Sequence, residues 1–142
     1  MLEKWNREDI KQIALLESEC FSDAWSENML ISSFETDGFL GYTYKDGDKV
    51  IGYIGISYCY ETADVLLIAV EKNNRRRGIA TELLNKTFSD LKALNVERVL
   101  LEVRESNLGA KKCYKKAGFK EIAVREGYYQ GNENAIIMEK EL

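Results

Sequence analysis

Three consecutive arginines, Arg75 to Arg77, stand before a glycine in the segment NNRRRGIATELL. The glycine lets backbone amides approach a bound group closely. If a helix begins at this point, its unpaired N–H groups and the positive end of its dipole favour an anion, and the arginines add positive charge. The segment therefore predicts a loop that binds phosphate or pyrophosphate, and the alternative is a basic, solvated helix start without a ligand.

Two other phosphate-binding motifs are missing from this segment. A P-loop needs a lysine followed by serine or threonine after the second small residue, and Ala80-Thr81-Glu82 does not supply them. A dinucleotide-binding fingerprint needs three spaced glycines, and only Gly78 is present here. Nucleotide hydrolysis and dinucleotide binding are therefore disfavoured.

A second group of polar residues follows an apolar run. Glu102 interrupts VLLEV near the end of a predicted strand, where α/β sheets commonly place ligand-binding groups. A carboxylate there could accept a proton from an ammonium group, and the alternative is an ordinary outward-facing strand residue. Asn107 and Tyr114 are seven residues apart, about two helical turns, so they would share one helix face. Tyr114 could then protonate a departing thiolate, or it could simply pack in the core.

The composition narrows the chemistry further. The 142 residues include no histidine, which removes Ser-His-Asp and Cys-His catalysis and nearly all histidine-ligated metal sites. Cys20, Cys59 and Cys113 form no disulfide or zinc pattern, so we expect buried thiols and no metal. Residues 1–64 carry 5 basic and 13 acidic side chains, and residues 65–142 carry 15 and 11. An acidic first half would suit a cationic amine and a basic second half a phosphorylated ligand, unless the difference reflects only surface solvation.

Hydrophobic periodicity assigns the elements that must position these residues. We predict helices at about 10–21, 26–34, 79–94 and 107–117, with a helix cap at Ser26 and a left-handed helix end at Gly118. We predict two strands within 38–60 around a turn at Asp46-Gly47-Asp48, and further strands at 65–70, 96–103, 119–126 and 134–140. The apolar run Val65–Val70 predicts a central strand that is buried on both faces. The long helix is expected to bury Ile79, Leu83, Leu84, Phe88, Leu91 and Leu94.

These elements predict a mixed α/β (α+β) fold with a hairpin-rich sheet and a strand-helix-strand unit. No Pro/Gly/Ser-rich linker or repeat divides the chain, so we expect one domain over residues 1–142. The composition is neither that of a disordered chain nor that of a membrane-spanning one. The first ten residues have no apolar leader, which predicts a cytoplasmic location.

Taken together, these blocks resemble the GNAT acetyltransferases and, within them, the RimI-type protein N-terminal alanine acetyltransferases. CFSDAWSENM resembles the substrate-side opening, IAVEKNNRRRGIATELL the acetyl-CoA motif, and LEVRESNLGAKKCYKKAGF with REGYY the catalytic stretch. The blocks occur in the order of the family and extend over nearly the whole chain. The resemblance implies a mostly antiparallel sheet that is splayed at its centre and flanked by about four helices.

The resemblance also implies roles for individual residues. Glu102 would be the proton acceptor and Tyr114 the proton donor. The residues expected to bind acetyl-CoA are Ile68, Ala69, Val70, Arg75, Arg76, Arg77, Gly78, Ile79, Ala80, Thr81 and Asn107. Trp25, Tyr128 and Tyr129 are expected at the acceptor substrate, although a loop anchor and a hairpin pair are the alternatives.

The expected reaction is acetyl transfer from acetyl-CoA to a protein N-terminus, such as the N-terminal alanine of a small-subunit ribosomal protein. A small amine or a lysine side chain is the alternative acceptor, and a catalytically silent acyl-CoA-binding module is a further alternative. We expect a monomer or weak dimer that binds neither nucleic acid nor membrane. Two residues depart from the family pattern: Ala24 replaces a usual proline, which predicts a more flexible substrate-facing loop, and Ala80 replaces a final glycine.

Overall fold

A seven-stranded sheet organises the chain, and four α-helices lie along it. The computed structural model describes the backbone of residues 1–142 and every side chain except that of Gln130. The strands are β1 (Leu2–Lys4), β2 (Phe39–Asp46), β3 (Lys49–Cys59), β4 (Thr62–Val70), β5 (Arg98–Arg104), β6 (Lys120–Tyr129) and β7 (Glu133–Glu141). The helices are α1 (Ile10–Cys20), α2 (Glu27–Phe34), α3 (Ile79–Ala93) and α4 (Leu108–Lys116).

The strand order in the sheet is β1-β2-β3-β4-β5-β7-β6, so β4 is central as predicted. Within this sheet only β4 and β5 pair in parallel, and α3 connects them as the predicted strand-helix-strand unit. The prediction of a mixed, mostly antiparallel sheet with about four helices is therefore confirmed. Strand β1, which pairs Leu2 with Tyr44, was not predicted because three residues are too short to show an alternating pattern.

The sheet opens between β4 and β5. The two strands pair only where Thr62–Asp64 meets Arg98–Leu100, and the remainder of β4 has no partner on β5. On its other side β4 stays paired with β3, and a register shift leaves Leu66 as an extra residue in β4. The prediction that residues 65–70 are buried on both faces is wrong in part, because Leu66 and Ile68 are only half-buried where the sheet opens.

Two hydrophobic cores hold the helices against opposite faces of the sheet. Beneath α3 lie Ile79, Leu83, Leu84 and Leu91, all buried as predicted, packed on residues of β3, β5 and β7. The other core joins α1 and α2 to Trp5 and Tyr53. Leu94 is 47% exposed, contrary to the prediction, because α3 ends at Ala93 and the chain turns away at Asn95 with a φ of 64°.

The predicted turns and caps are confirmed. The Ser26 Oγ atom accepts a hydrogen bond from the Met29 N–H at 3.2 Å and begins α2. Gly47 has a φ of 59° in the turn between β2 and β3. Gly118 has a φ of 103° after α4, where the Phe119 N–H donates to the Tyr114 carbonyl at 2.9 Å. These local signals fix the start of α2 and the end of α4.

Candidate active site

A cleft of about 1940 Å³ lies where β4 and β5 separate. Its walls come from the second half of β4, the start of α3, the second half of β5, α4 and the end of β6. Drug-sized ligands occupy pockets of about 300–1,000 Å³, so this cleft has room for a longer molecule together with a second reactant. All the predicted site residues line this cleft except Arg77.

The β4 wall presents backbone rather than charged side chains. Ile68, Ala69 and Val70 pair with β3 on one side, and their other edge faces the cleft instead of β5. Backbone N–H and C=O groups at a strand edge need partners, and an extended amide-containing ligand can provide them. This edge therefore fits a ligand that lies alongside β4.

The loop before α3 uses its three arginines differently. The Arg75 Nε atom donates to the Val70 carbonyl at 3.0 Å, and an Nη atom lies 3.7 Å from the Cys20 sulfur, so this side chain fastens the end of β4 to α1. The Arg77 Nη1 atom donates to the Asn74 Oδ1 atom at 2.6 Å and does not line the cleft. Arg76 lines the cleft, and its side chain makes no hydrogen bond to another described residue.

The loop conformation opens the first turn of α3 to the cleft. Arg76 and Gly78 both have positive φ, at 65° and 78°, and Gly78 is the N-cap residue of α3. Ile79, Ala80 and Thr81 follow directly, and all three line the cleft. The N–H groups at the start of a helix have no intrahelical acceptor, so this turn presents amides to the cleft, and anion binding there stays a prediction.

Glu102 lies on β5 beside two charged groups. Its Oε1 atom is 3.1 Å from an Nη atom of Arg125, and its side chain is 31% exposed. Asp64 lies on β4 where the two strands part and lines the same cleft. Burial raises the pKa of the Asp64 carboxyl, and the nearby charge of Glu102 raises it further. The carboxylate predicted to accept a proton thus has both a cation and a second carboxyl group beside it.

Asn107 and Tyr114 both lie on the cleft side of α4. Asn107 is the N-cap residue, and its Oδ1 atom accepts a hydrogen bond from the Ala110 N–H at 3.1 Å. Tyr114 is half-buried, with its ring 5.9 Å from that of Phe119. Burial, with smaller contributions from Cys113 and Tyr129, raises the pKa of the Tyr114 phenol above its ordinary value. The phenol therefore stays protonated near neutral pH and can act as a donor.

Two tyrosines at the end of β6 form the outer part of the cleft. The rings of Tyr128 and Tyr129 meet edge to face at 5.1 Å. The Arg125 guanidinium lies 4.7 Å from the Tyr128 ring centre and that of Arg104 lies 4.2 Å from the Tyr129 ring centre. Burial and then the charge of Glu102 raise the pKa of Tyr129 to about 12. Both phenols are thus held in place by arginines.

The loop between α1 and α2 is tied to the sheet on both sides of Ala24. The Trp25 N–H donates to the Glu17 carboxylate at 3.1 Å, and the buried Glu17 also accepts a 2.5 Å hydrogen bond from the Tyr53 hydroxyl. The Asp23 carboxylate lies 3.3 Å from an Nη atom of Arg104. Trp25 and Asp23 both line the cleft.

The charged residues around Glu102 and the tyrosine pair that were not identified from the sequence include Asp23, Asp64, Arg104 and Arg125. Arg104 did carry a signal, because it follows Glu102 by two residues and so shares its face of β5. Arg125 precedes the two tyrosines in REGYY, but its approach to Glu102 depends on β7 pairing with both β5 and β6. Asp64 reaches Glu102 only through the short parallel pairing of β4 and β5.

The Acetyltransferase (GNAT) family model matches residues 10–119, which contain most of this cleft. The chain belongs to this family. The predictions that it is an acetyltransferase and that it has the fold of this family are therefore confirmed. It is 28% identical over 142 residues to the [ribosomal protein bS18]-alanine N-acetyltransferase of Haemophilus ducreyi, with 97% of each chain covered.

Solved structures of acetyltransferases share the fold of this chain. The ribosomal-protein-S18-alanine N-acetyltransferase of Escherichia coli superimposes with a TM-score of 0.92 at 26% identity, covering 99% of this chain and 92% of that one. Arabidopsis thaliana NAA60 in complex with acetyl-CoA shares the fold, with a TM-score of 0.88 at 17% identity over 100% of this chain and 98% of that one.

The described part of the acetyltransferase has neither a metal-binding cluster nor a membrane-spanning helix. Among the described residues, no group of three or more His, Cys, Asp or Glu side chains is arranged to hold a metal ion. Within the same part of the chain, none of the helices combines the length and the apolar character needed to cross a bilayer.

Proposed function

We propose that this N-acetyltransferase moves an acetyl group from acetyl-CoA to the N-terminal amine of a protein, with the N-terminal alanine of a ribosomal protein as its acceptor. The observation that carries the proposal is the position of Glu102, Tyr114 and the open edge of β4 on one cleft. The Haemophilus ducreyi relative, which acts on a ribosomal-protein alanine and covers almost the whole chain, supports the choice of acceptor.

The donor binds along β4 and across the start of α3. Backbone groups of residues 68–70 pair with the amides of the pantetheine arm, in the place that a neighbouring strand would otherwise occupy. The amides of Gly78 to Thr81 bind the pyrophosphate at the helix start, and Arg76 adds its charge. Asn107 lies at the start of α4 on the opposite wall. This arrangement directs the thioester toward Glu102 and Tyr114.

Two side chains of the cleft move the protons. Glu102 accepts a proton from the acceptor ammonium, directly or through a water molecule, and the amine nitrogen then attacks the thioester carbonyl carbon. A C–N bond forms, the C–S bond breaks, and Tyr114 donates its phenolic proton to the departing thiolate. The acylated nitrogen loses its second proton to solvent, Glu102 releases its proton to solvent and Tyr114 takes one up, so the net products are the amide, the thiol and one proton.

Arg125 affects how the acceptor enters. Its guanidinium contacts Glu102 at 3.1 Å, so an incoming ammonium group takes over this partner. The pair is partly exposed, and exposed pairs contribute only about 0.2–1 kcal/mol, so the exchange costs little. The carboxylates of Asp23 and Asp64 on the same cleft favour a cationic acceptor. Trp25, Tyr128 and Tyr129 provide the apolar surface around it.

An acetylation assay with matched peptides tests this proposal. Peptides that differ only in the N-terminal residue are incubated with acetyl-CoA, and the products are identified by mass spectrometry. We expect the free α-amine to be modified, with alanine at the N-terminus preferred, and an N-terminally blocked peptide that contains lysine to remain unmodified.

The same assay separates the alternatives. Spermidine and blocked lysine peptides are included as competing acceptors in equal concentration. Faster acetylation of spermidine or of a lysine side chain would reject the N-terminal acceptor while leaving the acetyltransferase chemistry intact. No transfer to any acceptor, with acetyl-CoA still bound, would favour a catalytically silent binding module.

A further inference from the structure

The four lysines of α4 form two pairs with different surroundings. Lys111 and Lys115 both place Nζ 3.7 Å from the same Oε1 atom of Glu121 on β6. Lys112 and Lys116 instead line the cleft and are exposed. Among the described residues, no carboxylate lies within ion-pair distance of either of them. One pair shares a carboxylate of the protein, and the other pair has none and lines the cleft.

The geometry of α4 fixes where this second charge lies. Residues four apart lie on one helix face, so Lys112 and Lys116 form one row along α4. Gly109 and Cys113 lie between this row and that of Ala110 and Tyr114, and all of them line the cleft. Lys116 and Cys113 both line the cleft, and the charge of Lys116 opposes the rise in the pKa of the Cys113 thiol that burial causes. The lysine row therefore borders the path assigned above to the donor.

Two neighbouring like charges on one helix face are unfavourable without a partner. Lys111 and Lys115 share the Glu121 carboxylate, whereas Lys112 and Lys116 have no such group within the described chain. The position therefore lacks an anion that a ligand of this cleft can supply. Lysine is a compact point charge suited to a phosphate monoester, which carries close to two negative charges at neutral pH.

The donor contains one phosphate that the loop before α3 does not account for. The amides of Gly78 to Thr81 and Arg76 are assigned to the pyrophosphate, and coenzyme A also carries a phosphate monoester on its ribose. We propose that Lys112 and Lys116 bind this ribose 3′-phosphate. The inference rests on the proposed use of acetyl-CoA, and it makes α4 a second phosphate-binding element of the cleft.

Binding of coenzyme A and of 3′-dephospho-coenzyme A, measured by calorimetry, tests the assignment without requiring turnover. We expect wild-type protein to bind coenzyme A about five- to tenfold more tightly, as expected for two exposed charge pairs. In the double variant Lys112→Gln/Lys116→Gln the affinity for coenzyme A should fall by that factor, and the affinity for the dephospho compound should not change. The matched control Lys111→Gln/Lys115→Gln removes the same charge from the same helix and should retain the preference.

Three outcomes would overturn the proposal. Equal affinity of the wild-type protein for the two compounds would show that the 3′-phosphate is not recognised. Equal weakening of both compounds in the double variant would place the lysines at the pyrophosphate. An equal loss of preference in the control variant would attribute it to the overall charge of α4. Failure of wild-type protein to bind either compound would instead reject the acetyl-CoA proposal itself.

Discussion

The two sides of the cleft are built in different ways. The proposed donor wall, residues 68–81, is one continuous segment that presents mainly backbone groups, at the edge of β4 and the start of α3. The proposed acceptor wall consists of Asp23, Trp25, Arg104, Arg125 and the tyrosine pair at 128–129, which come from three distant parts of the chain. Side-chain contacts hold this second wall together.

This difference predicts that the two substrates respond to different substitutions. A backbone site depends on main-chain conformation, and most of its side chains can change without altering the groups that bind. A site built from ion pairs and stacked rings depends on each partner, so single substitutions can alter acceptor choice while donor binding is retained. In the proposed mechanism Tyr114 acts between the two reactants, and a change there should leave the binding of each intact.

The largest expected effect is that of Tyr114→Phe. The substitution keeps the ring against Phe119 and removes only the phenolic proton donor. We expect kcat to fall by about a hundredfold or more, with the affinity for acetyl-CoA nearly unchanged. Steady-state kinetics and calorimetry measure the two quantities. Unchanged kcat would remove Tyr114 from the mechanism, and Tyr44→Phe, at the far edge of the sheet on β2, is the matched control.

Gly78→Val should affect the donor wall alone. Gly78 has a φ of 78°, which valine strongly disfavours, although a Cβ atom there would meet no other atom within 4 Å. The backbone must move, and we expect the KM for acetyl-CoA to rise by about tenfold while the acceptor KM is unchanged. Gly47→Val imposes similar strain at a φ of 59° in the hairpin turn and should change neither KM.

Asp23→Asn should affect the acceptor wall alone. It weakens the 3.3 Å pair with Arg104, which in turn holds the Tyr129 ring. We expect the acceptor KM to rise by about threefold, with the KM for acetyl-CoA unchanged. The control Glu35→Gln breaks the 2.9 Å surface pair with Arg7 and should alter neither value. Equal changes in both KM values would contradict the separation of the two walls.

Arg125→Gln should have the smallest effect, and in the opposite direction. It frees Glu102 from its partner, so an ammonium group no longer competes with the guanidinium. We expect the KM of a cationic acceptor to decrease by about twofold at low ionic strength. Arg98→Gln, which weakens the 3.9 Å pair with Glu61, serves as the control. An increased acceptor KM would instead mean that the contact of Arg125 with the Tyr128 ring outweighs its competition for Glu102.

The predictability of the site from sequence follows the same division. The start of α3 could be predicted because Gly78, the arginines and the apolar face of the helix lie in one short segment. The separate roles of Arg75 and Arg77 could not be predicted, because they depend on the backbone carbonyl of Val70 and the side-chain amide of Asn74. The contact of Arg125 with Glu102 required the order of β5, β7 and β6, which no local pattern encodes.

The fold was more predictable than the site for a related reason. Periodicity identifies an amphipathic helix such as α3, and glycine identifies a turn such as the one at Gly47, because both signals are local. Burial of β4 on both faces was predicted from its apolar run, but the opening of the sheet beside Ile68 depends on how far β5 remains paired with it. A run of apolar residues cannot distinguish a covered strand from one that borders a ligand.

The short pairing of β4 with β5 also bears on the stability of the whole molecule. Three residue pairs join a half-sheet of four strands to a half-sheet of three, and the core beneath α3 provides the remaining connection. A donor that lies against both halves adds its binding free energy to their association. By linkage, donor at a hundred times its Kd stabilises the folded state by about 2.7 kcal/mol. A higher concentration of acetyl-CoA would then raise the melting temperature of the enzyme as well as its rate.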